Sequence, residues 1–412
     1  MAEDDEANPR HHHDSHHSLV LSAESELPDD IRPDFTGSPR IDAIIVPTIR
    51  PSTQLTAAIG HAKELGCTLL ALCSKKSVAS EVLALALEAG IDAVAIDVDR
   101  MPPNLLPHFK TTDVLKRRLF RDPRDTATKR NLALLFATLA GWRRVFFLDD
   151  DITIDNVELL RSAAHELNWY EVAGLRVEQY PDNSVVCHAG REVGRPQQTF
   201  VGGGAIAVDV LAAESSFFPQ VYNEDWLFLL DEHGLRPTTV VGEASQAPYD
   251  PFTCRRAWFE EVGDTLAEGV FWLLDEGRKV GDATPEHWRM FLAERKAFIS
   301  ELLGAVITSD LPLLRRAKIG RALLASYLRN RRIKPDLCYD YLLAWHSDRR
   351  AWREHVDDWR ATYHDAESIE LREPEKVLAT LGLLDCAHFV RTEDTPARPS
   401  VVAGLHESSD QH

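Results

Sequence analysis

Short, unbroken apolar runs alternate with longer amphipathic stretches through the first half of this chain. "IDAIIVPTI" (41–49), "CTLLALCS" (67–74), "IDAVAIDVD" (91–99) and "RRVFFLDDD" (143–151) are apolar on both faces, as strands buried on both sides of a sheet must be. The first is predicted to break at Pro47. Between the runs lie "STQLTAAIGHAKELG" (52–66), "SVASEVLALALEAG" (77–90) and "TATKRNLALLFATLAG" (126–141), with helical spacing and a glycine stop at 66, 90 and 141. Ser52 or Thr53 is the expected N-cap of the first helix. Strand and helix in alternation predict an α/β fold with parallel strands and crossover helices.

Further on the pattern changes twice. "WYEVAGLRVEQYPD" and "SVVCHAGREV" alternate and predict two strands joined by a turn at Pro181–Asn183. "TFVGGGAIAVDVLAA" sets three glycines in apolar sequence, "SFFPQVYNEDWLFLLDEHG" runs into a helix stopped near Gly234, and "PTTVVGEASQAPYDPF" is extended. From about Arg255 long helical periodicities take over. The expected organisation is a disordered acidic, His-rich tail over 1–38, a catalytic domain over 39–252, a helical region over 253–390 and a disordered tail over 391–412.

Composition narrows the function. With 65 acidic against 46 basic residues the formal net charge is -19, which disfavours non-specific binding of nucleic acid or anionic membrane. The six cysteines form no CxxC pair and read as thiols of a reducing cytosol. No signal peptide is evident, and no apolar stretch reaches the ~18 residues of a membrane span. The expected location is the cytoplasm, with peripheral membrane attachment left open.

Chemistry concentrates where the fourth strand ends. Asp149, Asp150 and Asp151 repel one another, and alternation along a strand predicts that Asp149 and Asp151 share a face at the carboxyl end of a parallel sheet, where ligands bind in open α/β folds. Hard carboxylate oxygens there suit Mg²⁺ or Mn²⁺ bound together with substrate phosphates. A helix-capping role for Asp151 is the plain alternative. "FLDDDIT" also fits the Asp-x-Asp-x-Thr strand end of haloacid-dehalogenase phosphatases, with Asp149 as nucleophile and Asp151 as general acid. That family carries this strand near its start, whereas here a βαβαβ unit precedes it.

Five pieces in order resemble a glycosyltransferase of the GT-A fold, near glycosyltransferase family 2: "VPTIR", "TKRNLALLFA", "LDDD", "FVGGGAIAV" and "YNEDW". The resemblance covers roughly residues 41–250. It implies a GT-A domain with a helical C-terminal extension, a nucleoside-diphosphate-sugar donor, and transfer, most simply of a hexose, to an unidentified hydroxyl acceptor. It assigns Asp149 and Asp151 to the metal, and Asp225 or Glu224 to the catalytic base, with Asp225 preferred. Thr48, Arg50, Ser74, Lys75, Lys129, Arg130 and Asn131, with Asp149, fall to the nucleotide side. Gly202, Gly203, Gly204 and Trp226 fall to the acceptor side. Each has a plainer alternative: solvated charge for Arg50, Lys129 and Arg130, a bulge for the glycines, a helix cap for Asp225, a core position for Trp226. Some relatives add a late histidine as metal ligand; "EASQAPYDPF" has none, so Gln246 or a water stands in, or there is no third protein ligand. A domain of this kind that binds sugar nucleotide or a partner without turnover is the remaining reading. The C-terminal helices are a candidate lid, homodimer interface or acceptor site.

Overall fold

The computed structural model describes residues 16–22, 39–120, 122–178, 183–195, 200–365 and 374–392. The first half folds as its pattern predicts. Strands β2 (Ala43–Thr48), β3 (Thr68–Cys73), β4 (Ala93–Asp97) and β5 (Arg144–Leu148) run parallel, in the order β4-β3-β2-β5. Helices α1 (Thr56–Leu65), α2 (Ala79–Ala89), α3 (Lys110–Arg117) and α4 (Thr126–Ala140) lie between them in sequence. Gly66, Gly90 and Gly141 close α1, α2 and α4 in the left-handed conformation, at φ of 63°, 70° and 71°. Neither Ser52 nor Thr53 caps α1, because residues 52–55 form a 3₁₀ turn ahead of it. Nor does Pro47 break β2. Pairing with β5 reaches only Ile45, so the missing N–H of Pro47 falls where β3 is the sole neighbour.

Beyond β5 the sheet becomes mixed. A short β6 (Ile152–Thr153) and helix α5 (Glu158–Glu166) lead to β7 (Val172–Glu178). The second strand expected after β7 is instead a helix, α6 (Val185–Glu192). Ser184 caps it, its side chain accepting from the Cys187 N–H, and Val185, Val186 and Ala189 bury one helical face. Strand β8 (Val201–Asp209) then enters antiparallel between β5 and β7, α7 (Glu224–Phe228) is a short turn of helix that ends well before Gly234, and β9 (Thr238–Gln246) runs parallel to β7.

The rest is helical: α8 (Cys254–Asp275), α9 (Pro285–Thr308), α10 (Leu313–Asn330), α11 (Pro335–Asp365) and α12 (Pro374–Thr380). Strand β10 (Ala387–Val390) returns to the sheet antiparallel to β4, which the helical periodicity of this region did not announce. At the other edge, β1 (Leu21–Ser22) pairs with β9, so residues 16–22 correct the expectation of disorder across 1–38. The remaining expected tail, including the histidines at 11–13, lies outside the described residues, as does 393–412. The sheet order is β1-β9-β7-β8-β5-β2-β3-β4-β10, with β6 on β9.

Alternate residues of each central strand feed two cores. Ile45, Leu70, Leu72 and Phe147 pack with α4 and α11 on one face; Ile44, Val46, Leu69 and Phe146 pack with α1, α2 and α5 on the other. Among the described residues no helix is long and apolar enough to cross a membrane.

Candidate active site

The antiparallel entry of β8 builds the site. Its first residues, Gly202–Gly204, lie just past the end of β5, where the Asp149 N–H donates to the Gly204 carbonyl at 2.9 Å. Because β5 ends at Leu148, the three aspartates sit in a turn, and strand alternation no longer governs them. They diverge. Asp149 accepts from Arg130 Nη2 on both oxygens, at 2.9 and 3.0 Å. Asp150 accepts from Thr48 Oγ1 at 2.7 Å and is paired with Arg50. Asp151 accepts from Arg50 Nη2 at 2.9 Å and from Gln246 Nε2 at 3.2 Å. The shared face expected for Asp149 and Asp151 is therefore corrected to two carboxylates held by different arginines.

Helix α4 supplies Arg130, whose side chain is only 3% exposed. Its Nη1 donates to Glu224 Oε1 at 3.0 Å, so one guanidinium joins the β5 end to the Asn223–Glu224–Asp225 segment. Lys129, one residue earlier, does something else. Its Nζ donates to the Thr48 carbonyl at 2.8 Å and to Ser74 Oγ at 2.7 Å, and lies 3.3 Å from Asp125. With three protons and three partners, a buried Lys129 is a strut between the ends of β2, β3 and α4, and a phosphate-pairing role is corrected accordingly. Burial lowers its pKa, against the pull of Asp125. Ser74 donates to Asp125 at 2.6 Å. Lys75 is exposed, in a left-handed backbone at φ 57°. Asn131 brackets Phe218, donating to its carbonyl at 2.8 Å and accepting from its N–H at 2.7 Å, so it pins the loop before Glu224.

Asp225 faces the glycines. Its Oδ2 accepts from the Gly203 N–H at 2.6 Å and its Oδ1 from the Trp226 N–H at 3.0 Å. A methyl on Gly203 would lie 2.5 Å from Arg130 Nη1 and 2.7 Å from Asp225 Cβ, and one on Gly204 3.0 Å from Asp149 Oδ2. Only glycine lets β8 pass this close to both acids. Asn223, just before Glu224, adopts φ 58°, a left-handed conformation uncommon in non-glycine residues. Its Nδ2 donates to Asp264 on α8 at 3.2 Å, and a methyl on Gly263 would land on the Tyr222 carbonyl oxygen. Helix α8 thus braces the turn that presents the acids. Trp226 is half-buried against Phe200 and Phe271, at ring separations of 5.0 and 4.9 Å.

A cavity of about 120 Å³ results, whose walls include Arg130, Asp149, Gly202–Gly204, Glu224, Asp225 and Gln246. Burial pushes Asp149 up to about 6; the charges of Asp151 and Asp150 add to this and Arg130 opposes it. Burial likewise pushes Glu224 up to about 7, with Asp225 adding and Arg130 opposing. Both arginines are raised as well, which for them favours the charged form. Burial disfavours their charge, but Asp149 and Glu224 raise Arg130, and Asp151 and Asp150 raise Arg50.

Two residues here carried no local signal. His16 is buried, donates or accepts at 2.5 Å with Asp275 and 3.3 Å with Glu268, and packs on Trp226. Arg124 lines the cavity from the stretch before α4, where the sequence reads only as a polar connection. His188 bonds Tyr249 at 2.7 Å, and no contact of His233 with the site is present among the described residues. A separate group of ligand-type atoms, from Cys187, Asp264 and Glu268, lies within 4.8 Å of one another. Its carboxylates are engaged by Arg295 and His16.

No family model matches the chain, and no curated protein matches it. Among solved structures it is similar to a mannosyltransferase from Pyrobaculum calidifontis, described in complex with GDP-mannose and Mn²⁺. The match has 15% identity over 74% of this chain and 90% of that one, with a TM-score of 0.41.

Proposed function

We propose that this chain is a metal-dependent glycosyltransferase of the GT-A fold that moves a sugar, most simply a hexose, from a nucleoside diphosphate to a hydroxyl acceptor. One observation carries the reading. Asp149, the triple glycine and the Asn-Glu-Asp turn, separate in sequence, line a single cavity, and buried Arg130 bonds both Asp149 and Glu224.

The donor set fits a divalent cation. Gln246 Oε1 is buried with no hydrogen-bond partner among the described residues, beside Asp151, to which its own Nε2 donates. A buried carbonyl oxygen without a donor is costly unless something positive meets it. Asp149, Asp151 and Gln246 would hold Mg²⁺ or Mn²⁺, and when bound the ion supplies Lewis-acid stabilisation to the departing diphosphate. Arg50, 42% exposed in its side chain, is the movable cation of the site and pairs with the nucleotide's phosphates once released from Asp151.

Asp225 takes the acceptor's hydroxyl proton, held in position by the Gly203 and Trp226 N–H groups. The acceptor oxygen bonds the anomeric carbon, and the bond from that carbon to the phosphate oxygen breaks, its electron pair leaving on the nucleoside diphosphate. This assignment describes an inverting transfer. Glu224 anchors Arg130, which in turn fixes Asp149. The phosphatase reading has less support, because β2–α1–β3–α2–β4 precedes the aspartate strand, which that family carries near its start.

The test is nucleotide release from a panel of UDP-, GDP-, ADP- and dTDP-sugars with Mn²⁺ or Mg²⁺. The proposal expects release that is abolished in Asp151→Ala and reduced at least ~10²-fold in Asp225→Asn. Phosphate release from phosphomonoesters that is lost in Asp149→Asn points to the phosphatase. Metal-dependent nucleotide binding without turnover on any acceptor points to a binding module.

A further inference from the structure

Beside the catalytic cavity lies a second, of about 240 Å³, walled in part by Arg124, Arg255, Arg256 and Phe259. Arg124 lines both cavities.

The balance of charge there runs against the rest of the chain. In a protein with a formal net charge of -19, three guanidinium groups here meet two carboxylates, Asp122 and Glu260. Arg124 Nε donates to both oxygens of Asp122 at 3.0 Å, and its guanidinium lies 5.1 Å over the Tyr222 ring. Arg256 pairs with Glu260. Arg255 is exposed and has no carboxylate partner among the described residues; its guanidinium lies 5.8 Å from the centre of the Phe259 ring. One positive charge is therefore left over at the mouth of a concave site, where arginine's planar fork matches carboxylate or phosphate.

We propose that this arginine-walled cavity is the acceptor's anchoring subsite and that the acceptor carries an anionic group, phosphate or carboxylate, bound by Arg255 with Arg124 and Arg256 behind it. The proposal rests on the transferase reading for the word acceptor, and not for the binding itself. An anion held there sets its own hydroxyl toward Asp225, and the acidic surroundings of Asp149, Glu224 and Asp225 make such a cation necessary for any anionic acceptor to approach.

The experiment is a calorimetric titration of the full chain, without donor or divalent metal, using inorganic phosphate in one arm and malonate in the other. Saturable binding is expected in at least one arm, and the tighter arm names the group. Arg255→Ala is expected to weaken it at least fivefold, Arg255→Glu to abolish it, and Arg255→Lys to fall between. Binding in neither arm, or equal affinity in wild type and Arg255→Glu, overturns the proposal. The titration needs no turnover, so its failure is read separately from failure of the transferase reading, which nucleotide release reports.

Discussion

Replacing Gly203 by alanine tests how tightly β8 is set against Arg130 and Asp225. The added methyl would stand 2.5 Å from Arg130 Nη1, 2.9 Å from Arg130 Cζ and 2.7 Å from Asp225 Cβ. Ordinary non-bonded contacts lie at about 3.5–4.0 Å, so the overlap is roughly 1 Å. β8 is anchored on either side of this glycine, to β7 at Val201 and Ile206 and to β5 from Ala205 onward, which resists its backing away. The side chains must yield instead, and Arg130 cannot do so without lengthening its 2.9 and 3.0 Å bonds to Asp149. Overpacking of this kind costs about 1–3 kcal/mol. Expressed wholly in the transition state, that is roughly a 5- to 150-fold loss of nucleotide release. Expressed wholly in the ground state, it appears as the same 1–3 kcal/mol in urea unfolding. The two assays together capture the cost wherever it falls. Gly304→Ala is the matched control. This glycine is exposed within α9 with nothing within 4 Å of an added methyl, and the substitution should stabilise by about 0.5–1 kcal/mol. Wild-type turnover together with an unchanged urea midpoint in Gly203→Ala would refute the close packing on which the site is built.

Arg50→Ala should tighten Mn²⁺ binding several-fold in the absence of nucleotide, because Arg50 and the cation compete for Asp151, and weaken nucleoside-diphosphate binding; paired titrations check both. Mn²⁺ affinity should fall below pH 6, toward tenfold per unit, as Asp149 takes up the proton that its raised value near 6 implies, and the dependence should flatten in Asp149→Asn. His16, raised to about 9 by Asp275 and Glu268 despite its burial, should stabilise the fold by up to about 3 kcal/mol below pH 6.5, the benefit being lost as pH rises through 9. Urea unfolding of wild type and His16→Ala across that range measures it, and equal pH profiles would contradict it.

Legibility in the sequence followed the locality of the cause. The β2–α1–β3–α2–β4 unit and α4–β5 were readable because apolar runs and terminal glycines act within a few residues. The helix over Val185–Glu192 reads as a strand because Val185, Cys187 and Ala189 alternate with other residues, whereas the face it buries, Val185, Val186 and Ala189, has helical spacing behind the Ser184 cap. β10 and the His16 segment escaped notice because their partners, β4 and α8, lie hundreds of residues away. Within the site, the family resemblance grouped Asp149, Gly203 and Asp225, which line one cavity, but it did not distinguish the roles of their neighbours. Nothing local distinguishes Lys129, a strut among strand ends, from Arg130, which bridges the acids; the helix rotates one toward Ser74 and the other toward Asp149.

Electron paramagnetic resonance of Mn²⁺ added to the full chain with a saturating nucleoside diphosphate tests the central claim most directly. The account predicts one tightly bound ion per chain, its signal broadened by ¹⁷O-labelled diphosphate, weakened in Gln246→Ala and lost in Asp151→Ala. A bound ion of unchanged affinity in Asp151→Ala, or no bound ion in wild type with any nucleoside diphosphate, would contradict it.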